Sequence, residues 1–238
     1  MNKAIKHPQH ILACDKALFG DIAEGFSTLT PKEFFERVTQ SLFIGRREEL
    51  EKDERFGQIL PYVVLWQRVG TGRMKVFVYQ RTKKVGEQRL AGALSIGLGG
   101  HVDLQDVLMV DKSSVVDVVA TMALTISREL NEECLFFRSN NAEDKLTYDE
   151  LRAKFVDVNI VVFPKFCGVI NDTSNEVGRV HFGFVFAQEI PPGFEPTCRE
   201  EELSTVGMVD VDLAAGKGEG VMESWSQIVL ANFEAVAA

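Results

Sequence analysis

Near the end of a helical pattern the chain reads Arg128-Glu129-Leu130-Asn131-Glu132-Glu133. Residues three and four apart share one face of a helix, so the three carboxylates stand together. Like charges at that spacing cost roughly 0.2–0.5 kcal/mol per pair. The helix dipole adds to the cost, because its C-terminal end already carries partial negative charge. Arg128 supplies only one positive charge and points about 100° away from Glu129. A divalent cation such as Mg²⁺, which takes carboxylate oxygens, would balance the cluster. The plainer alternative is a solvated acidic face.

Composition narrows the function classes. The chain has 238 residues, with 26 basic and 35 acidic side chains and a net charge of −9. An acidic surface is a poor partner for nucleic-acid backbones and anionic membranes, which attract Lys and Arg. A small anionic substrate fits if metal ions neutralise its site. Cys14, Cys134, Cys167 and Cys198 contain no CxxC spacing, so they read as free thiols in a reducing compartment. Cys134 lacks a nearby His to activate it and reads as a packed thiol. Residues 1–10 have no apolar segment typical of a leader, and no run suits a membrane span. The expectation is a soluble, cytoplasmic protein.

Taken in order, residues 1–58 read as an N-terminal extension packed on a main domain of residues 59–238. Residues 10–14 suit a short strand. Thr30, Pro31 and Glu33 form the start of a helix, with Thr at the N-cap, Pro at the first position and Glu closing a capping box. Residues 46–55 carry nine charges in ten positions. They suit a solvated helix or loop, although the forked guanidinium of Arg46, Arg47 or Arg55 also suits a substrate phosphate or carboxylate. Residues 60–66 and 75–80 are predicted to form a hairpin around Gly70-Thr71-Gly72. Residues 94–97 form a short strand into Gly99-Gly100. Ser113 or Ser114 then caps a helix reaching about Phe136, with Val115, Val118, Val119, Met122, Ile126 and Leu130 on its apolar stripe. Residues 140–150 read as a loop, with a short helix from the Thr147–Glu150 capping box. Strands are expected over 155–163, 166–170, 180–187 and 203–211, and one amphipathic helix over 222–236. His181 lies opposite the face bearing Phe182, Phe184 and Phe186. Tyr62 and Trp66 read as core aromatics.

The Gly99-Gly100 turn followed by Arg128-Glu129-Leu130-x-Glu132-Glu133 resembles the signature of the Nudix hydrolase family. That signature places a Gly, then a Glu, before Arg-Glu-hydrophobic-x-Glu-Glu-x-Gly. Gly99-Gly100-His101 and Gly178-Arg179-Val180-His181 are also similar to a little-characterised subgroup described as predicted phosphoesterases. The resemblance implies an α/β fold: a Nudix-type α/β/α sandwich with a mixed sheet, plus the N-terminal extension. It implies Mg²⁺ or Mn²⁺ held by Glu129, Glu132, Glu133 and the Gly99 carbonyl. It gives catalytic roles to Arg128, Glu129 and Glu132, with Arg128 orienting Glu129 and Glu129 as a candidate base. Gly100, His101, Arg46 and Arg47 are the candidate substrate-binding residues. The implied activity is hydrolysis of a diphosphate bond in a nucleoside-diphosphate-linked substrate, and a homodimer is possible.

Three departures stand out. Residues 101–127 separate Gly100 from Arg128, an insertion relative to the family. Ala120 occupies the position of the first box Glu, whereas counting forward from Gly100 reaches Asp106. Leu135 replaces the Gly after the Glu pair. The Ala120 and Leu135 positions motivate an alternative, a Nudix-fold binding or regulatory module without turnover. An isopentenyl-diphosphate isomerase also resembles this fold, but its catalytic Cys and Glu contexts are missing. Asp172, Glu176 and residues 200–202 are candidates for an extra carboxylate.

Overall fold

A computed structural model describes residues 9–19, 22–70, 72–82, 91–110, 115–155, 163–217 and 221–238. β1 (His10–Asp15), α1 (Lys16–Phe19), β2 (Gly25–Ser27), α2 (Pro31–Ser41), β3 (Leu42–Arg46) and α3 (Arg47–Leu50) come first. β4 (Phe56–Val69), β5 (Arg73–Arg81), β6 (Leu94–Ser95) and β7 (Gly97–Leu98) follow, then α4 (Val118–Glu133). β8 (Cys134–Arg138), β9 (Asn141–Leu146), α5 (Tyr148–Phe155), β10 (Lys165–Asn171) and β11 (His181–Glu189) continue the chain. β12 (Phe194–Cys198), β13 (Leu203–Asp210), α6 (Val211–Ala215), α7 (Ser224–Ala231) and α8 (Phe233–Ala237) complete it.

β4 is the spine of the molecule. It runs parallel to β11 over Gln58–Trp66 and antiparallel to β5, β7 and β1. The sheet is mixed and runs β13-β5-β4-β11-β10-β2. β1 joins β4, and β2 joins β10, so residues 10–46 add three strands to this sheet or to its flank. Side chains alternate across a strand, and β4 sends Ile59, Val63 and Leu65 to one face and Tyr62, Val64 and Trp66 to the other. Phe34 and Val38 of α2 and Met122, Ile126 and Leu130 of α4 cover the first face. Val229, Leu230, Phe233 and Val236 of α7 and α8 cover the second. A sheet buried on both faces needs near-continuous apolar strands, which is the pattern of β4 and β11. The result is the expected α/β/α sandwich.

Local signals hold where side chains close them locally. Thr30 and Glu33 bond reciprocally at the start of α2, as do Thr147 and Glu150 before α5. Other expectations need correction. Asp117 caps α4, its carboxylate accepting from Ala120 N–H at 3.0 Å. Val115 and Val119 stay exposed. The chain folds back before Asp117, with Val110 N–H donating to Val115 O and Asp117 N–H to Leu108 O. The expected caps Ser113 and Ser114 lie outside the described residues. α4 ends at Glu133, and β8 takes over because Cys134 is extended (φ −134°, ψ 144°). Residues 141–146 form β9 rather than a loop, pairing with β8 at an exposed edge. β12 follows residues 191–193 and pairs with β8 in a three-stranded sheet. The closing helix is two helices, interrupted at Asn232 (φ −119°, ψ 21°). The strand expected over 155–163 falls mostly on residues 156–162, outside the described set, and Phe155 itself ends α5. Among the described residues no helix is long and apolar enough to cross a membrane.

Candidate active site

α4 carries its acidic end beneath the Gly99-Gly100 turn. Gly99 is at φ +135°, and a Cβ there would lie 2.1 Å from the Pro61 carbonyl oxygen. A Cβ on Gly100 would lie 2.7 Å from Glu129 Oε1. Glycine is required at the first position by conformation and by backbone contact, and at the second it lets the Glu129 carboxylate lie against the turn. The gain is intimacy between turn and helix. Gly99 N–H donates to Glu133 Oε2 at 2.8 Å.

Arg128 corrects the sequence expectation that it turns away. Its long side chain curls back and reaches four partners. Nη1 donates to Glu129 Oε1 at 2.7 Å and to Glu132 Oε2 at 3.2 Å. Nε and Nη2 donate to Asp106 Oδ2 at 3.0 and 2.8 Å, and Nη2 also reaches His101 O at 3.0 Å. Asp106, reached by counting forward from Gly100, therefore joins the cluster. Its carboxylate is engaged with the guanidinium.

Position in the fold separates the three glutamates. Glu129 and Glu133 are 9% and 8% exposed, whereas the Glu132 side chain is 51% exposed. Burial raises the Glu129 pKa to about 7, opposed by Arg128 and reinforced by Glu132 and Asp103. Burial also raises Glu133 to about 8, with Glu129 adding to the shift and the Gly99 N–H and Arg81 opposing it. Both are carboxylates whose negative charge is under-compensated. Glu200 is raised by burial and then by Glu202 and Glu132, so among the late carboxylates it bears on this cluster. Asp172 is engaged elsewhere: Ser174, Asn175 and Ser224 all donate to it. Despite its burial, these bonds hold its pKa below the ordinary value.

His101 and His181, 80 residues apart in sequence, meet with their Nε2 atoms 3.3 Å apart. His101 Nε2 is 3.0 Å from Gln58 Oε1, and His181 Nδ1 is 2.6 Å from Val177 O, to which it donates. Burial lowers the His101 pKa well below the ordinary value, and Arg47, His181 and Arg128 push it the same way. Arg47 donates to Glu51 at 2.9 Å and to Gln9 at 3.1 Å, and Gln9 in turn donates to Asp103 at 2.7 Å. Arg46 is engaged with Glu49 at 2.7 Å. Cys134 is fully buried, and burial raises its thiol pKa well above the ordinary value.

On the other side of the glycine turn lies a cavity of about 790 Å³, touching Gly97 and Gly99. Tyr62, Arg81, Asp172, His181, Ser224 and Trp225 are among its walls. Arg81 is ion-paired with Glu223 there. Gly99 thus belongs to both the acidic helix end and the cavity. The sequence reading missed the Arg81–Glu223 pair, the Asp172 network and the buried Gln58. The Arg81–Glu223 pair and the Ser224 contact to Asp172 join distant segments and have no local spacing signal, whereas Ser174 and Asn175 lie two and three residues from Asp172. Among the described residues, no group of three His, Cys, Asp or Glu side chains is arranged as a ready metal cage; Arg128 draws Glu129 and Glu132 to itself.

No family model matches the chain. It is 31% identical over 186 residues to Protein YmaB of Bacillus subtilis strain 168, covering 78% of this chain and 75% of that protein. The crystal structure of Tm1382, a candidate Nudix hydrolase, superposes with a TM-score of 0.64 at 24% identity, covering 94% of this chain and 97% of the other. The chain therefore belongs to one family with YmaB, and its fold is that of the Nudix hydrolases.

Proposed function

We propose that the protein is a Mg²⁺- or Mn²⁺-dependent hydrolase that cleaves a phosphoanhydride bond in a nucleoside-diphosphate-linked substrate. The observation that carries this reading is the pair of buried carboxylates, Glu129 and Glu133, pressed against a glycine turn with pKa values of about 7 and about 8. Carboxylate oxygens beside an unshielded glycine backbone are the donor chemistry of a hard cation. Glu129, Glu132, Glu133 and the Gly99 carbonyl would hold it. When bound, the cation would neutralise the diphosphate and activate water at phosphorus.

The remaining work falls to the chain itself. Arg128 fixes Glu129 and Glu132 through its fork. Glu129, with a pKa near neutrality, is suited to take a proton at its carboxylate. Gly100 leaves the room that Glu129 occupies. His101 and Arg47 would meet phosphate oxygens, and Arg46 would join them after releasing Glu49. The cavity beyond Gly99 has the volume of a small-molecule site, and its Tyr62 and Trp225 walls suit the organic part of the substrate. We read the protein as cytoplasmic and as a candidate homodimer.

One observation favours a second reading, a binding module without turnover: Arg128 already engages the carboxylates of Glu129 and Glu132. The test is a panel of nucleotide sugars, dinucleotides, ADP-ribose and nucleoside triphosphates, each with and without Mg²⁺ or Mn²⁺. Cleavage of one class only with metal, and its loss in Glu132→Gln, is expected. Unchanged cleavage in Glu132→Gln contradicts the mechanism. Tight binding without turnover in Mg²⁺ supports the module.

A further inference from the structure

Cys134 and Cys198 stand directly opposite each other in the antiparallel pairing of β8 with β12. Both are free thiols. Opposed residues in such a ladder alternate between hydrogen-bonded pairs, with Cα atoms about 5.5 Å apart, and non-hydrogen-bonded pairs about 4.5 Å apart. The backbone donors decide which kind this is. Cys134 N–H donates back into α4, to Leu130 O. Cys198 N–H donates away from β8, to Thr205 Oγ1 at 2.8 Å. Neither crosses between the strands. The flanking bond that does cross runs from Arg199 N–H to Glu133 O at 2.8 Å. The two cysteines are therefore a non-hydrogen-bonded pair with side chains on one face. A Cα separation of about 4.5 Å lies within the span that a disulfide bridges. Cys134 is fully buried in the core beneath the sheet, and the half-buried Cys198 packs against the same cluster. The Cys167 sulfur instead points to the Val236 carbonyl at 3.2 Å.

We propose that Cys134 and Cys198 are an oxidisable pair that closes to a disulfide when the protein meets a peroxide. Cys198, the more accessible, attacks one peroxide oxygen as its thiolate. The O–O bond breaks, the leaving oxygen departs as water after protonation, and Cys198 becomes a sulfenic acid. The Cys134 thiol then gives up its proton as its sulfur attacks the Cys198 sulfur. The S–S bond forms, the S–O bond breaks and a second water leaves. In sum, two thiols give up two protons and two electrons, and the peroxide is reduced to two waters. The bridge would tie the residue after Glu133 to the strand that leads into Glu200.

The test treats the native protein with hydrogen peroxide, quenches it, unfolds it in an alkylating agent and maps its peptides. The expected product is a peptide linking Cys134 to Cys198, separable by dithiothreitol, in a chain lighter by two hydrogens. Cys14 and Cys167 remain alkylated. In Cys198→Ser the link is absent and Cys134 is alkylated. In Cys134→Ser, Cys198 carries the oxygen adduct unlinked. Alkylation of all four cysteines in the treated native protein would overturn the proposal. So would oxygenated Cys198 without a link, or a link that uses Cys14 or Cys167.

Discussion

Two stretches of this chain are crowded with charge, and they have opposite fates. Residues 46–55 settle their charges with near neighbours in water: Arg46 with Glu49, Arg47 with Glu51 and Lys52 with Glu48. Such exposed pairs contribute roughly 0–1 kcal/mol each. Residues 128–133 sit under the glycine turn, and there Glu129 and Glu133 are buried. Glu129 shares the Arg128 guanidinium with Asp106 and Glu132, and Arg81, which opposes the Glu133 shift, is itself paired with Glu223. The lesson is that charge density does not make a site. Charge that the fold removes from water without fully compensating it does.

The sharpest way to break this contrast is Arg128→Ala. It leaves the buried Asp106 carboxylate without its guanidinium. Removing one partner of a buried pair typically costs about 3 kcal/mol or more, so urea unfolding should show a loss of that order. A loss below about 0.5 kcal/mol would place the acidic helix end with the solvated run. Next comes Glu129→Gln, which should slow metal-dependent hydrolysis by about 10²-fold, the scale of a lost general base. Steady-state rates at saturating Mg²⁺ measure it.

A third effect is pH-dependent. In the folded chain Glu129 and Glu133 hold their protons up to about 7 and about 8, against an ordinary carboxyl value of 4.5. Between those limits the folded state binds more protons than the unfolded one, so stability falls as pH rises. Without metal, the wild type should lose stability relative to Glu133→Gln between about pH 5 and about pH 8. Unfolding midpoints in a chelator would show it, and parallel pH curves would refute the assignment to Glu133. The smallest effect is Arg46→Ala in the exposed run. It should change stability by about 0.5 kcal/mol or less, read in the same urea experiment.

The legible parts of the molecule are those written over short distances. The carboxylate face of α4 and the Thr30–Glu33 and Thr147–Glu150 boxes follow from three- and four-residue spacing, and the structure contains them. The run of β-branched and aromatic residues over 62–66 marked a strand, and in the structure this near-continuous apolar stretch is buried on both faces. Partners far apart in the chain were not legible. Asp106 reaches Arg128, His101 reaches His181, and Arg81 reaches Glu223 only after the sheet has assembled. The polar β9 was hidden because an exposed edge strand has no apolar alternation to reveal it. The early start expected for α4 failed because apolar periodicity through Val115 mimics a helix, while Asp117 is the residue whose side chain caps one.

Whether the buried carboxylates hold a cation is measured directly by titration calorimetry of Mn²⁺ into the wild type and Glu129→Gln. Stoichiometric binding to the wild type is expected, with proton release that grows as pH falls below about 7, and weakening by about tenfold or more in Glu129→Gln. Equal Mn²⁺ affinity in the two proteins, or none in either, would contradict it.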